Sequence, residues 1–365
     1  MDIGPPPHFW TSEPRLGFGG WALGGSAWGP VIAESDRLAA VARALERGVT
    51  FFDTAPSYGN GTSETLLGRA LAGHRPRVAI ATKVGPRDDP TTSLHASLGR
   101  LRTDYVDLLQ LHELGERWEW QLETLVRLRE AGAVRAIGLC NATHLALARA
   151  VSAAPLATYQ GLYNVFDRDA EERELPFCQE RGLAFLAVRP LASGLLSGKY
   201  RDPPAFVADD HRGGLYWFRG REFARRRAVL ERLEPWGRAR GLSLAALALA
   251  WVLARRGVSI ALVGAKTAAQ VDENLAAAAR LLAPDEVAAV DAVVAEAFRP
   301  ARATARARAL ARDWGPRERH IVEGLDGSTS YETIAARWTD RGEQPMIAAQ
   351  VKVFCDRLAD EGLVE

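Results

Sequence analysis

Val78-Ala-Ile-Ala-Thr-Lys83, Tyr105-Val-Asp-Leu-Leu-Gln-Leu-His112 and Ala136-Ile-Gly-Leu-Cys-Asn141 are three mainly apolar runs, each ending on a polar side chain. Such short, dominantly apolar runs suit strands buried on both faces. Between the second and third, Leu122–Glu130 has helical spacing, and the same alternation extends in both directions. Upstream are the strand candidates Arg15–Leu23 and Thr50–Asp53, joined by an amphipathic helix at Ser35–Arg47 that Ser35 caps and Gly48 ends. Downstream are Thr158–Tyr163, Ala184–Leu191 and Ile260–Gly264. Eight strands alternating with helices between residues 15 and 265 predict an α/β chain folded as a (β/α)8 TIM barrel. In that fold the chemistry sits at the C-terminal ends of the strands.

A doubly wound sheet is the competing architecture. It would place a Gly-rich turn between the first strand and an immediately following helix. Here Gly17, Gly19 and Gly20 lie within or at the end of the first strand candidate and no helix follows at once. The length of 365 residues exceeds the ~250 typical of one barrel, which leaves room for an appendage. After Pro300 the composition changes. Arg299–Arg312 reads as an Arg and Ala helix, and Arg317–Gly324, Tyr331–Trp338 and Met346–Gly362 as short amphipathic segments. The expected division is a barrel over 1–300 and a small helical C-terminal extension over 301–365.

With 46 Lys+Arg against 45 Asp+Glu, the chain has no overall field to gather DNA or an anionic membrane surface. The apolar stretch Leu242–Ala254 is shorter than the ~20 residues of a spanning helix and reads as a core helix. Met1–Trp10 is Pro-rich, with Asp2 and no basic lead into an apolar run, so no secretory signal is expected. Cys140, Cys178 and Cys355 have no CxxC spacing, which predicts a cytoplasmic protein without a disulfide framework or a metal site.

The strand ends carry an unusual set: Asp53, with Tyr58 five residues on, then Lys83, then His112. Singly, each has an ordinary structural reading, a solvated charge or a hydrogen-bonded histidine. Jointly they point into a barrel mouth. A neighbouring ammonium favours a phenolate, so Lys83 is expected to lower the Tyr58 pKa, with Asp53 holding Lys83 charged and aligned. His112 would orient a carbonyl oxygen beside the Tyr58 hydroxyl. No metal ligands cluster and no Ser or Cys nucleophile motif is present, so the hydride donor that completes this chemistry is a cofactor.

Phe51-Phe-Asp53-Thr-Ala-Pro-Ser-Tyr58-Gly-Asn-Gly-Thr-Ser-Glu64, Ala81-Thr-Lys83-Val, Asp107-Leu-Leu-Gln-Leu-His112 and Arg135-Ala-Ile-Gly138-Leu-Cys-Asn141 resemble the aldo-keto reductase superfamily in order and spacing, over about residues 15–295. The resemblance implies Tyr58 as proton donor, Lys83 and Asp53 as its tuning pair and His112 as the orienting group. It also implies NADP(H), sometimes NAD(H), bound across the barrel mouth without a Rossmann fold. Gly20, Trp21 and Asp53 would line the cofactor; Asn141 and Gln160 would hold the nicotinamide carboxamide, with Cys140 where the family usually has Ser. Pro190-Leu-Ala-Ser-Gly-Leu-Leu-Ser-Gly-Lys199-Tyr resembles the loop that covers the pyrophosphate, through Leu191, Ser193 and Leu195. Just before it, Val188-Arg189 stands where the family commonly has an aromatic that stacks on the nicotinamide. Valine packs but cannot π-stack, and Arg189 brings a cation to cofactor or substrate. The junction Gly264-Ala-Lys266, with Gln270 and Asn274 beyond it, would take the adenosine end; Lys266, with no acid replacing it, favours NADP over NAD.

Trp21, Trp28 and Trp217 would wall an apolar substrate pocket together with Tyr58 and His112, with Arg189 as an anchor for an anion. Trp118 and Trp120 fit helix packing equally well. The tail, Leu325-Asp-Gly-Ser-Thr-Ser-Tyr-Glu-Thr-Ile-Ala and Val353-Phe-Cys-Asp-Arg-Leu-Ala-Asp-Glu-Gly-Leu-Val364, resembles PqqD-type peptide-recognition modules and also winged helices. From Tyr331 to Glu365 seven acids face four bases, which argues against DNA and leaves a peptide or protein partner, or simple docking and oligomer contact, as the readings of this segment. Two functions therefore stand: an NADPH-dependent reductase of a small-molecule carbonyl (or the reverse on an alcohol), and an NADP(H)-binding regulatory or recognition protein whose tail binds a partner.

Overall fold

The computed structural model describes residues 15–298, 303–329, 331–339, 348–360 and 363–364. Eight parallel strands close a barrel in sequence order: β1 Leu16–Gly19, β2 Phe51–Asp53, β3 Ala79–Val84, β4 Val106–Leu111, β5 Val134–Cys140, β6 Thr158–Leu162, β7 Ala184–Val188 and β8 Val258–Gly264. Around them run α1 Glu34–Glu46, α2 Thr62–Ala70, α3 Pro90–Leu101, α4 Trp118–Glu130, α5 His144–Ala153, α6 Glu174–Arg181, α7 Gly220–Arg238, α8 Leu244–Ala254 and α9 Ala268–Ala278, followed by α10 Pro284–Ala297. Inside the barrel, large Phe51, Leu108, Leu186, Ile260 and Leu262 interleave with small Ala79, Ala81, Ala136 and Ala184. That alternation fills the interior, so it is a packed core and not a channel.

The register aligns the functional ends. Gly19 pairs with Asp53 and with Gly264, Lys83 with Gln110, Gln110 with Gly138, and Cys140 with Gln160. All of these face one rim. α8 is apolar around its whole circumference and is buried over Leu244–Leu253, as a core helix requires, with Ser243 Oγ accepting the Ala246 N–H at its start.

Several boundaries depart from the sequence expectation for local reasons. β1 stops at Gly19 because Gly20–Leu23 winds into a 3₁₀ turn. β7 stops at Val188 because Arg189 adopts a left-handed backbone, φ +53°. α1 starts at Glu34, so Ser35 lies inside it and caps nothing; Glu34 and Asp36 in the first turn complement the helix dipole instead. The expected end at Gly48 fits, with φ +85° just past the helix.

The chain divides after Val290 into two compact units. In the second, α11 Ala305–Leu310, α12 Pro316–Gly324, α13 Tyr331–Thr339 and α14 Ala348–Asp360 follow in order. The Arg and Ala helix is shorter than expected because Thr304 caps it, its Oγ1 accepting from Ala307 N at 3.2 Å; residues 299–302 lie outside the described residues. This unit has its own core, including Ile321, Val322, Ile334, Val351, Phe354 and Leu358. Ala303 and Val364 form an antiparallel bridge beside it. No helix among the described residues is long and apolar enough to cross a membrane.

Candidate active site

Lys83 reaches the rim at the end of β3 with no exposed surface. Its ammonium Nζ donates to Asp53 Oδ1 at 2.6 Å, to the Thr54 carbonyl at 2.9 Å and to the Tyr58 hydroxyl at 3.3 Å. Three acceptors satisfy its three donors, which is what allows a buried lysine to stay charged. Burial is the largest single influence and works to lower the Lys83 pKa, but the Asp53 charge and hydrogen bond together with Tyr58 and Cys140 outweigh it and the net displacement is upward. The second Asp53 oxygen accepts from Gln160 Nε2 at 2.9 Å and, at longer range, from Gln110 Nε2 at 3.4 Å.

Tyr58 sits on the turn between β2 and α2, and the turn is set by a close backbone approach. A Cβ on Gly59, at φ +64°, would lie 1.5 Å from the Gly24 carbonyl oxygen, and one on Gly24 would lie 2.5 Å from the Tyr58 carbonyl carbon. Only glycine at both positions lets the first loop cross over this turn and hold the phenol against Lys83. The Tyr58 pKa departs from the sequence expectation. Burial pushes it up to about 12; Lys83 opposes that rise while Asp53 adds to it. The ammonium acts in the expected direction, but desolvation of the phenolate is the larger effect.

The His112 ring lies edge-on to Tyr58 with centroids 5.7 Å apart. Burial, reinforced by Lys83, lowers its pKa to about 3, so at neutral pH it is an uncharged imidazole. Its backbone is fixed on both sides, N–H to Val84 and carbonyl to Asn141 Nδ2. Among the described residues its ring makes no hydrogen bond, so the N–H of the neutral imidazole is unengaged beside Tyr58.

The other expected positions surround this centre. Cys140 is buried and its thiol contacts Gln160 Oε1 at 3.6 Å; burial displaces its pKa upward, so it is a neutral thiol. Gln160 and Asn141 are both engaged within the protein, through Asp53 and the His112 carbonyl. Ala192, Ser193 and Gly194 all have positive φ, and the buried Ser193 Oγ has no hydrogen-bond partner among the described residues. Lys266 is bonded from its Nζ to the Trp28 and Pro30 carbonyls, its backbone N–H is accepted by Gln270 Oε1, and Asn274 is buried.

Trp21 stacks on Tyr58 at 5.6 Å and meets Trp28 edge-on at 5.1 Å. Sequence reading missed the third partner, His211, which stacks on Trp21 at 4.4 Å from the loop between β7 and α7. Trp217, from the same loop, is buried with its ring against Tyr216, outside this group of ring contacts. Gln110 was also missed, and a polar residue two positions before a strand-end histidine is a usable signal in a run that is otherwise apolar.

The aldo/keto reductase family model matches residues 15–295. The chain belongs to the aldo/keto reductase family. It is 34% identical to the aldo-keto reductase YhdN of Bacillus subtilis (strain 168), with 71% of this chain and 83% of that protein covered. Among solved structures it is similar to the glycerol dehydrogenase AKR11B4 from Gluconobacter oxydans, at 32% identity and a TM-score of 0.71, covering 78% of this chain and 92% of that one. It is also similar to an aldo-keto reductase from Klebsiella pneumoniae in complex with NADPH, at 30% identity and a TM-score of 0.62, covering 77% and 91%. Family membership accounts for the shared barrel, while chemistry depends on the particular side chains at its mouth.

Proposed function

We propose that the chain is an NADP(H)-dependent oxidoreductase that reduces an aldehyde or ketone to an alcohol, or runs the reverse, with Tyr58 supplying the proton. The observation that carries this is the Lys83 ammonium bridging Asp53 and the Tyr58 hydroxyl beside a neutral, unbonded His112. The rim suits a dinucleotide. The unpartnered Ser193 hydroxyl on a left-handed loop is a donor for a phosphate oxygen, and Lys266 at a strand-to-helix junction supports NADP. Asn141, Gln160 and Cys140 would meet the carboxamide, Gly20 and Trp21 would flank the nicotinamide, Val188 would pack on it, and Leu191 and Leu195 would border the pyrophosphate. Gln270 and Asn274 remain the candidates for the adenosine. A relative of known structure carries NADPH.

Bound NADPH supplies the hydride that reaches the carbonyl carbon. The protein's part is at oxygen. A carbonyl oxygen in the mouth accepts from the Tyr58 hydroxyl and from the His112 ring N–H. As the carbon gains the hydride, charge grows on that oxygen and the Tyr58 proton passes to it. A phenol held at about pKa 12 gives up its proton only to an oxygen that has become strongly basic, so transfer is tied to hydride arrival. The phenolate then lies 3.3 Å from the Lys83 ammonium, which stabilises it until solvent returns the proton.

The test is NADPH oxidation, followed by nicotinamide absorbance, with a panel of aldehydes, ketones and quinones. Turnover supports the reductase. Tight NADPH binding without turnover on any carbonyl would instead favour a regulatory NADP(H)-binding protein.

A further inference from the structure

Arg189 has a left-handed backbone, an uncommon state for a bulky residue. Asn164 Nδ2 donates to its carbonyl at 3.1 Å, and Ala192 N donates to the same oxygen at 2.8 Å. These bonds fix where the side chain leaves β7. Its guanidinium carbon lies 5.5 Å from the centroid of Trp21, the indole whose ring also stacks on Tyr58. Four other partly buried arginines of the barrel have carboxylates: Arg75 has Asp107, Arg100 has Glu64, Arg212 has Asp210 and Arg255 has Glu171. Arg189 makes no hydrogen bond or ion pair through its guanidinium among the described residues. Asp167, the carboxylate that most favours its charge, accepts from Asn164 Nδ2 at 3.0 Å.

Two more polar groups around Trp21 are unsatisfied. Trp28 Nε1 and His211 Nε2 are buried without a hydrogen-bond partner among the described residues, and both rings pack on Trp21. Among the described residues, Asp167 and Asp210 act on Arg189 and His211 only at a distance, and no carboxylate is hydrogen-bonded or ion-paired to the Arg189 guanidinium, Trp28 Nε1 or His211 Nε2. A guanidinium presents a planar fork that matches the two oxygens of a carboxylate. Because one indole contacts both Arg189 and Tyr58, one small molecule can present an anion to the first and a carbonyl oxygen to the second.

We propose that Arg189 is a specificity-determining residue that binds the carboxylate of the substrate, so that the preferred substrates are aldehydes or ketones that also carry a carboxylate. This rests on the reading of Tyr58 as proton donor to a carbonyl. A cofactor phosphate offers the same anionic chemistry, and the test separates the two.

The full-length chain is assayed with NADPH and a matched pair, 4-carboxybenzaldehyde and its methyl ester, as wild type, Arg189→Met and Arg189→Lys. Benzoate binding to the NADP-loaded proteins is measured by calorimetry. Wild type is expected to favour the acid in kcat/KM by about tenfold or more, the range of a lost hydrogen bond to a charged group. Arg189→Met removes that preference and weakens benzoate about tenfold, leaving the ester and the KM for NADPH within about threefold. Arg189→Lys, which keeps the charge without the fork, falls between them. Equal turnover of acid and ester by wild type overturns the proposal. So does a loss shared by both probes together with a raised KM for NADPH, which assigns Arg189 to the cofactor. If neither probe is reduced, Arg189-dependent benzoate binding supports the carboxylate site while refuting the carbonyl reading; benzoate binding that ignores Arg189 overturns both.

Discussion

Replacing Lys83 with methionine removes the charge while keeping most of the side-chain volume. In the folded chain Lys83 is fully buried and Asp53 nearly so, with 2.6 Å between Nζ and Oδ1. After Lys83→Met, the Asp53 carboxylate keeps its contacts from Gln160 at 2.9 Å and Gln110 at 3.4 Å but loses its only cation within ion-pair distance among the described residues. Removing one partner of a buried pair typically costs about 3–5 kcal/mol, because an uncompensated charge remains in a poor solvent. Asp53→Asn added to Lys83→Met removes that charge, and neutral replacement of both partners is often close to neutral in stability. The double variant should therefore recover most of the loss. The assay is urea unfolding of the single variants and the double variant at pH 7, with stability extrapolated to water. Carbonyl turnover separates the two roles: the double variant regains stability but not rate, since neither methionine nor asparagine stabilises the Tyr58 phenolate. A single-variant loss below about 1 kcal/mol, well under the buried-pair range, would refute this electrostatic reasoning. A double variant no more stable than Lys83→Met would do the same.

Other outcomes follow from the same geometry. His112 has its folded pKa lowered from 6.5 to about 3, so the unfolded chain takes up this proton first as pH falls. Its contribution to stability is complete above pH 6.5 and declines from there toward pH 3, and thermal unfolding of His112→Gln should be less pH-sensitive than wild type across that window. An equal slope in both proteins would mean that other groups carry the dependence. Gly59→Ala places a methyl group in the Gly24 carbonyl and keeps a positive φ, so it should cost at least about 2 kcal/mol and depress turnover. Wild-type melting and activity in that variant would show that the loop crossing is not what holds Tyr58.

The eight strands could be read because burial on both faces leaves few polar residues inside each run, and a polar residue at the end then marks the rim. Asp53, Lys83 and His112 are legible this way as side chains at strand ends, and Tyr58 by its place five residues beyond Asp53. What could not be read depends on non-local packing. The direction of the Tyr58 shift turns on how much water reaches the phenol, which chain order does not encode. β7 continues on paper to Leu191, but tertiary hydrogen bonds from Asn164 and Ala192 stabilise the backbone of Arg189 outside the strand. His211 joins Trp21 from a loop about 190 residues away, and nothing in its own neighbourhood distinguishes it from a surface histidine. The helical end after residue 303 was visible as amphipathic segments, while the shorter first helix was decided by one threonine cap.

The central claim is that Tyr58 protonates the carbonyl oxygen. It is tested most directly by single-turnover reduction of a saturating aldehyde by NADPH-loaded wild type and Tyr58→Phe, with NADPH affinity measured in parallel. The account predicts that the phenylalanine variant binds NADPH within about threefold of wild type and reduces the aldehyde about 10²–10⁴-fold more slowly. Equal single-turnover rates in the two proteins would contradict it.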